Sequence, residues 1–271
     1  MRTIVHLSDL HFGRVDPSLL DPLVARIKQI KPDLVAVSGD LTQRARSHQF
    51  KAARAFLDLL PGPQIVVPGN HDVPLHNVYA RFVHPLKKYR FYITDDLEPF
   101  YEDEEIAVMG VNTARSLTIK GGRVNRLQVE RVKERFCNYD NSVVKIVVTH
   151  HPFDLPKGYH ERNLVGRAHM AISSLAECGA DMFLSGHLHV SHTGHTAVRY
   201  QIKGHVALIV QAGTTLSTHG RGEPNSFNVI RVDPYKIVID RNEWRRSQSA
   251  FLLHSNERFH RTKSGWARIG A

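Results

Sequence analysis

Five short runs of strand character each end in a cluster of metal-ligating residue types. This repetition constrains the chain more than any other feature. Residues 3–8 run into Asp9-Leu10-His11, residues 34–38 into Gly39-Asp40, and residues 64–68 into Gly69-Asn70-His71-Asp72. Residues 144–149 lead to His150-His151-Pro152, and residues 182–185 to Gly186-His187-Leu188-His189. Ligands placed just past strand ends, with glycines where the backbone turns sharply, gather on one rim of a sheet. That rim is where α/β folds build their sites.

Between these motifs the pattern is strand–helix–strand–helix–strand through residue 72, with helices over about 18–31 and 47–60. Such alternation implies right-handed crossovers and parallel pairing. Residues 73–104 are less regular, with a helical stretch near 79–82. A strand over 106–111, a helix over 126–137 and a helix over 168–178 follow. The polar loop of about 15 residues after Pro152, with Lys157, Tyr159, His160, Glu161 and Arg162, reads as a lid or a disordered segment. From residue 206 the pattern is all-β: 206–210, 226–232 and 235–241, the last two joined by an Asp233-Pro234 turn. Two batches of strands point to two stacked mixed sheets with flanking helices, a four-layer α-β-β-α sandwich. The expected catalytic domain covers residues 1–241, with an appendage over 242–271.

With 271 residues, 42% of them hydrophobic, there is ample material for a core. No apolar run approaches the roughly 20 residues of a membrane span. Strand pattern begins at Thr3, which leaves no room for a cleavable signal peptide. Cys137 and Cys178 allow one disulfide, but two free buried thiols in a reducing cytosol is the plainer reading. The expected location is therefore cytoplasmic.

The formal charge of +10 is uneven: residues 196–271 hold 12 Lys+Arg against 5 Asp+Glu. That tail interleaves Trp244, Phe251, Phe259 and Trp266 with arginines. It could pack on the domain, form a homodimer arm, or dock on an anionic bilayer at the inner face of the membrane.

Mixed His, Asp and Asn donors suit Mn, Fe, Zn or Co better than Ca or Mg. Two such ions, roughly 3.5–4 Å apart and joined by a carboxylate, can hold a bridging hydroxide that attacks phosphorus near neutral pH. A lone Asp-x-His is uninformative, whereas Gly69-Asn70-His71-Asp72 requires four residues of three chemical types to coincide. In this order, the five motifs resemble the calcineurin-like metallophosphoesterase superfamily. The similarity extends from residue 3 to about 241. It is nearest to the bacterial branch of class III cyclic-nucleotide phosphodiesterases, glycerophosphodiesterases and related phospholipase C-like enzymes.

The resemblance implies that Asp9, His11 and His189 hold one metal, Asp40 bridges, and Asn70, His150 and His187 hold the second. His71 would contact the phosphate or protonate the leaving oxygen, with Asp72 orienting its ring. Either His150 or His151 could be the ligand. The family's spacing to the proline favours His150 and leaves His151 near the substrate. Arg14, directly after the first motif, is the best candidate for a phosphate-binding cation, ahead of Arg44 and Arg46. His192, His195 and His219 are further residues that could reach the pocket.

The expected activity is hydrolysis of a small phosphodiester, with a phospholipid at a membrane surface as the alternative. A nuclease is disfavoured, because nuclease relatives add DNA-binding and capping domains that this chain has no length for. A non-catalytic scaffold is disfavoured because no ligand position is lost.

Overall fold

The computed structural model describes residues 1–118, 120–218 and 222–270. Strands β1 (Arg2–Leu7), β2 (Leu34–Val37) and β3 (Gln64–Val66) alternate with helices α1 (Leu20–Ile30) and α2 (Ser47–Leu59). Two short helices follow, α3 (Val78–Val83) and α4 (Lys87–Tyr92). Then come β4 (Phe100–Glu102), β5 (Ile106–Gly110), α5 (Arg126–Phe136), β6 (Val144–Val148), α6 (Ala168–Ala176) and β7 (Met182–Ser185). The chain ends with β8 (His192–His195), α7 (Thr196–Arg199), β9 (Leu208–Gln211), β10 (Ser226–Val232), β11 (Lys236–Arg245), β12 (Ala250–Thr262) and β13 (Gly265–Arg268).

The strands form a seven-stranded sheet in the order β13-β12-β11-β10-β1-β2-β3 and a six-stranded sheet in the order β4-β5-β6-β7-β9-β8. Alternation along the strands explains the layering. Val5, Leu7, Val35 and Val37 pack with Leu23, Ile27, Phe50 and Phe56 of α1 and α2. Ile4, Leu34 and Ala36 face the other way, against Val144, Ile146 and Val148 of the second sheet. Val147 and Phe183 meet Val129, Val132 and Ile172 of α5 and α6 on the far side. The result is α-β-β-α, as the sequence predicts. Helix α5 begins with a reciprocal cap, in which Asn125 Oδ1 accepts from Gln128 N and Gln128 Oε1 accepts from Asn125 N.

Two expectations are corrected. The expected 242–271 appendage is not set apart over its described residues, because β12 and β13 continue the seven-stranded sheet that contains β1. Of the aromatic residues expected to meet a bilayer, Phe251, Phe259 and Trp266 are buried, and Trp244 is half-buried against the core. Trp266 donates from Nε1 to Asp181 Oδ1 at 2.8 Å, tying β13 to the six-stranded sheet. Sequence alternation is hard to read here because β11 carries a bulge at Arg241/Asn242 and β12 is mostly exposed, with Leu252 and Leu253 among its exposed residues. Cys137 and Cys178 are also not free. They form a disulfide, with Cα atoms 4.6 Å apart, because the ends of α5 and α6 pack together. Disulfides persist mainly in oxidising compartments, so the cysteines no longer argue for a reducing cytosol. No helix among the described residues is long and apolar enough to cross a membrane.

Candidate metal centre

The loops after β1, β2, β3, β6 and β7 converge between the two sheets, and their backbones turn abruptly to do so. Of the ten described non-glycine residues with left-handed backbone, five are Asp9, His11, Asp40, His187 and His189, with φ between 49° and 72°. Left-handed backbone is costly for residues with a Cβ and concentrates at functional sites. Gly69 and Gly186 permit the close approach. A Cβ at Gly69 would overlap the Asp40 carboxylate, and one at Gly186 would overlap Ser8 Oγ and Asp9 Oδ2.

Two groups of donors face one another across Asp40. In the first, Asp9 Oδ1 is 3.6 Å from His11 Nε2 and 3.7 Å from His189 Nε2, while Asp40 Oδ2 is 3.7 Å from His11 Nε2. Donors about 2.1 Å from one tetrahedral ion lie about 3.4 Å apart, so this spacing fits ligation better than hydrogen bonding. Asp9 Oδ1 is buried and accepts no hydrogen bond, which a protein tolerates only if something positive compensates it. In the second group, Asp40 Oδ1 is 3.3 Å from His150 Nε2. Asn70 Oδ1 is 3.1 Å from His150 Nε2 and 3.0 Å from His187 Nδ1.

The surrounding hydrogen bonds set the tautomers. His150 Nδ1–H donates to Ser38 O at 2.8 Å, turning Nε2 toward Asp40 and Asn70. Thr214 Oγ1 lies 2.7 Å from His189 Nδ1, so the other ring nitrogen faces Asp9. Burial alone would raise the Asp9 carboxyl, but the imidazoles of His189, His11 and His150 hold it below the usual carboxylate range. Asp40 is likewise raised by burial and held well down by His150 and His71. Burial lowers the His150 ring and the Asp40 carboxylate lifts it, the carboxylate prevailing at about 9. Burial and His150 together push His187 to about 3. The cluster thus attracts positive charge between its donors.

His151 is not at the substrate. It is buried, Thr113 Oγ1 occupies its Nδ1 at 2.8 Å, and its Nε2 donates to Lys120 O at 3.1 Å. Its ring lies near those of His150 and His187, but its two nitrogens bond to Thr113 and Lys120, whereas His150 Nε2 faces Asp40 and Asn70. Asp72 does not orient the His71 ring either. Its carboxylate accepts from the main-chain amides of Leu41, Thr42 and Gly69 and from Thr42 Oγ1, staking the β2 and β3 loops together. Burial and the neighbouring Asp40 push Asp72 up to about 6 against those bonds. The His71 ring is instead held by Gln43 O, 2.9 Å from Nδ1.

A cleft of about 460 Å³ opens over Asp40, Asn70, His71, His187 and His189, edged by Arg14, Arg44, Arg46 and Lys120. Ser38 and Thr214 were not legible as site residues, because each acts through a histidine remote in sequence, and Gln43 and Lys120 because only the fold brings them to the cleft. His192 and His195 lie on β8 and do not line the cleft. His192 is 3.9 Å from Asp154, and His195 meets Phe259 edge to face. The polar loop after Pro152 lines none of it, and His219 lies outside the described residues.

The model of the calcineurin-like phosphoesterase family matches residues 2–191. The chain belongs to that family. All five motifs of this calcineurin-like phosphoesterase fall inside the matched span, which ends just past His189. A probable glycerophosphodiester phosphodiesterase GpdQ from Arcobacter nitrofigilis is 30% identical over 163 residues, covering 55% of this chain and 56% of that protein. A glycerophosphodiester phosphodiesterase GpdQ from Enterobacter lignolyticus is 32% identical over 80 residues, covering 26% of this chain and 29% of that one. The chain thus spans about half the length of the first relative and under a third of the second.

The fold is similar to a solved structure of PhoD, with a TM-score of 0.72 and 11% identity over 100% of this chain and 72% of that one. It is also similar to a dimetal phosphatase from Danio rerio, with a TM-score of 0.66 and 12% identity over 93% and 98%.

Proposed function

We propose that this calcineurin-like phosphoesterase is a dinuclear metal-dependent phosphodiester hydrolase acting on a small diester, a cyclic nucleotide or a glycerophosphodiester. One observation carries the reading. The Asp40 carboxylate directs Oδ2 into one donor group and Oδ1 into the other, beside a cleft edged by His71 and four cations. Asp9, His11, Asp40 and His189 would hold one ion, and Asp40, Asn70, His150 and His187 the other. Nitrogen and oxygen donors without sulfur suit Mn, Fe or Zn. When bound, such a pair makes water acidic near neutral pH and neutralises charge on the phosphoryl oxygens.

The chain's own groups supply the remainder. Arg14 and Lys120 on the cleft edge would hold non-bridging oxygens, the guanidinium through its fork. With Nδ1–H given to Gln43 O, the protonated His71 ring carries its second proton on Nε2. From there it can pass to the leaving oxygen as the P–O bond breaks. The two GpdQ relatives, named as glycerophosphodiester phosphodiesterases, support a diester.

A phospholipid is the second reading, favoured by one feature. A groove of about 1260 Å³ between α4 and the 112–116 loop is lined by Val73, Leu86, Phe91, Tyr92 and Leu97. Val73 also lines a small cavity beside His71.

The test is hydrolysis of cyclic nucleotides, glycerophosphodiesters, phospholipid vesicles and bis(p-nitrophenyl) phosphate with added Mn²⁺. Turnover of a small soluble diester is expected. Failure on every diester by protein that binds metal would remove this reading, and turnover of vesicles alone would replace it with the second.

A further inference from the structure

Helix α3 is amphipathic in reverse. Its buried residue is Arg81, 6% exposed, which donates from Nε to Ser116 O at 2.8 Å, from Nη1 to Pro74 O at 3.0 Å, and from Nη2 to Thr118 O. Its outward residues are Val78, Tyr79, Phe82 and Val83, all exposed, with Tyr79 at 72%. At spacings of one, four and five they share a single helical face. The carbonyls that Arg81 captures fix the loop that presents Leu117, 87% exposed. Phe91 of α4, 78% exposed, lines the same groove as Val83 and Ser116. Single exposed apolar residues need no explanation, but a contiguous set around a buried arginine does.

The charges around this patch select its occupant. Residues 73–94 contain Arg81, Lys87, Lys88 and Arg90 and no Asp or Glu. Lys87, Lys88 and Arg90 are exposed; Lys88 donates to Ala45 O at 3.1 Å, Arg90 pairs with Asp95 at 3.3 Å, and Asp96 follows, so the rim keeps a net positive charge through Lys87 and Lys88. On the other side of Arg81, a small cavity is bordered by Arg44 and Lys120. A second copy meeting this face about a two-fold axis would set like charges against each other. An anionic bilayer meets the same rim favourably, and aromatic side chains ringed by cations are what interfacial helices present to it.

We propose that the outer face of α3, with Phe91 and Leu117, docks on an anionic lipid surface. This goes beyond the substrate reading and concerns where the chain sits, not which bond it cuts. It also relocates membrane contact from the C-terminal tail, where Phe251, Phe259 and Trp266 are buried.

The test is co-sedimentation of the full chain with vesicles of phosphatidylglycerol and phosphatidylcholine, against phosphatidylcholine alone. Anionic vesicles should be bound, with binding weakened by salt. The variant Tyr79→Ser/Phe82→Ser/Phe91→Ser should bind them at least about tenfold more weakly, with an unchanged thermal unfolding midpoint. Lys87→Gln/Arg90→Gln should lose most of the preference for anionic over neutral vesicles. Three results would each overturn the proposal. The wild type could ignore anionic vesicles, or the triple variant could bind as well as wild type. The wild type could also be a dimer that the triple variant converts to monomer, which would make the face a protein interface.

Discussion

The main-chain amide of His71 donates to Asp40 Oδ1 at 2.8 Å, so the residue facing the cleft and the carboxylate between the two donor groups are positioned together. The His71 ring donates from Nδ1 to Gln43 O, which leaves Nε2 without that bond at the cleft. His71→Ala keeps the amide and removes only the ring. It should lower kcat by about 10²–10⁴ with metal content unchanged. The loss should shrink for nitrophenolate leaving groups, which need little protonation. An equal loss on good and poor leaving groups would point to phosphate positioning instead.

Asp40→Ala removes the group facing both donor sets and leaves two cations to repel each other. Elemental analysis should show loss of at least one metal per chain, with activity close to background. A variant retaining two metals and ordinary turnover would exclude the bridge. Chelation of the wild type should also lower its unfolding midpoint, because Asp9 and Asp40 are buried and would lose their compensating charge.

Thr214 reaches the centre only through His189, 2.7 Å from its Nδ1. Thr214→Val should weaken binding at the first metal position by roughly 10–100-fold, while Thr214→Ser restores it. Metal titration followed by calorimetry separates this from a folding defect, which serine would not repair.

His6 on β1 predicts a pH effect on stability. Burial pushes its ring down to about 3, and Asp9 opposes this only in part. The unfolded chain gains this proton near 6.5 while the folded chain does not. The stability is therefore complete above pH 6.5 and is lost as pH falls toward 3. The loss is on the order of 4–5 kcal/mol if His6 acted alone. In His6→Gln, which can keep a hydrogen bond to Ser38 Oγ, denaturant midpoints should fall less steeply across that window. Parallel acid limbs for the two proteins would rule out His6 as their source.

Local chemistry made much of the site legible. Strand runs followed by Asp9, Asp40, Asn70, His150 and His187 obey short-range rules: apolar alternation, then a glycine or left-handed turn, then a ligand. Helices α1, α2, α5 and α6 were legible for the same reason, because each buries one face at helical spacing.

Tertiary structure decided what no local rule encodes. His150 rather than His151 faces Asp40 because Ser38, 112 residues away, takes the His150 Nδ1 proton, while Thr113 and Lys120 occupy His151. Asp72 serves the backbone of the β2 loop because that loop, not the His71 ring, brings free amides to it. Residues 242–268 became sheet because β10 pairs with β1 and offers β11–β13 an edge to extend. Arg81 turned inward because carbonyls from residues 74, 116 and 118 meet there. The sequence by itself determined the donor residue types and their order, since these depend on a few neighbouring residues. Their partners depend on hydrogen bonds and strand pairings between remote segments, and only the folded chain brings those together.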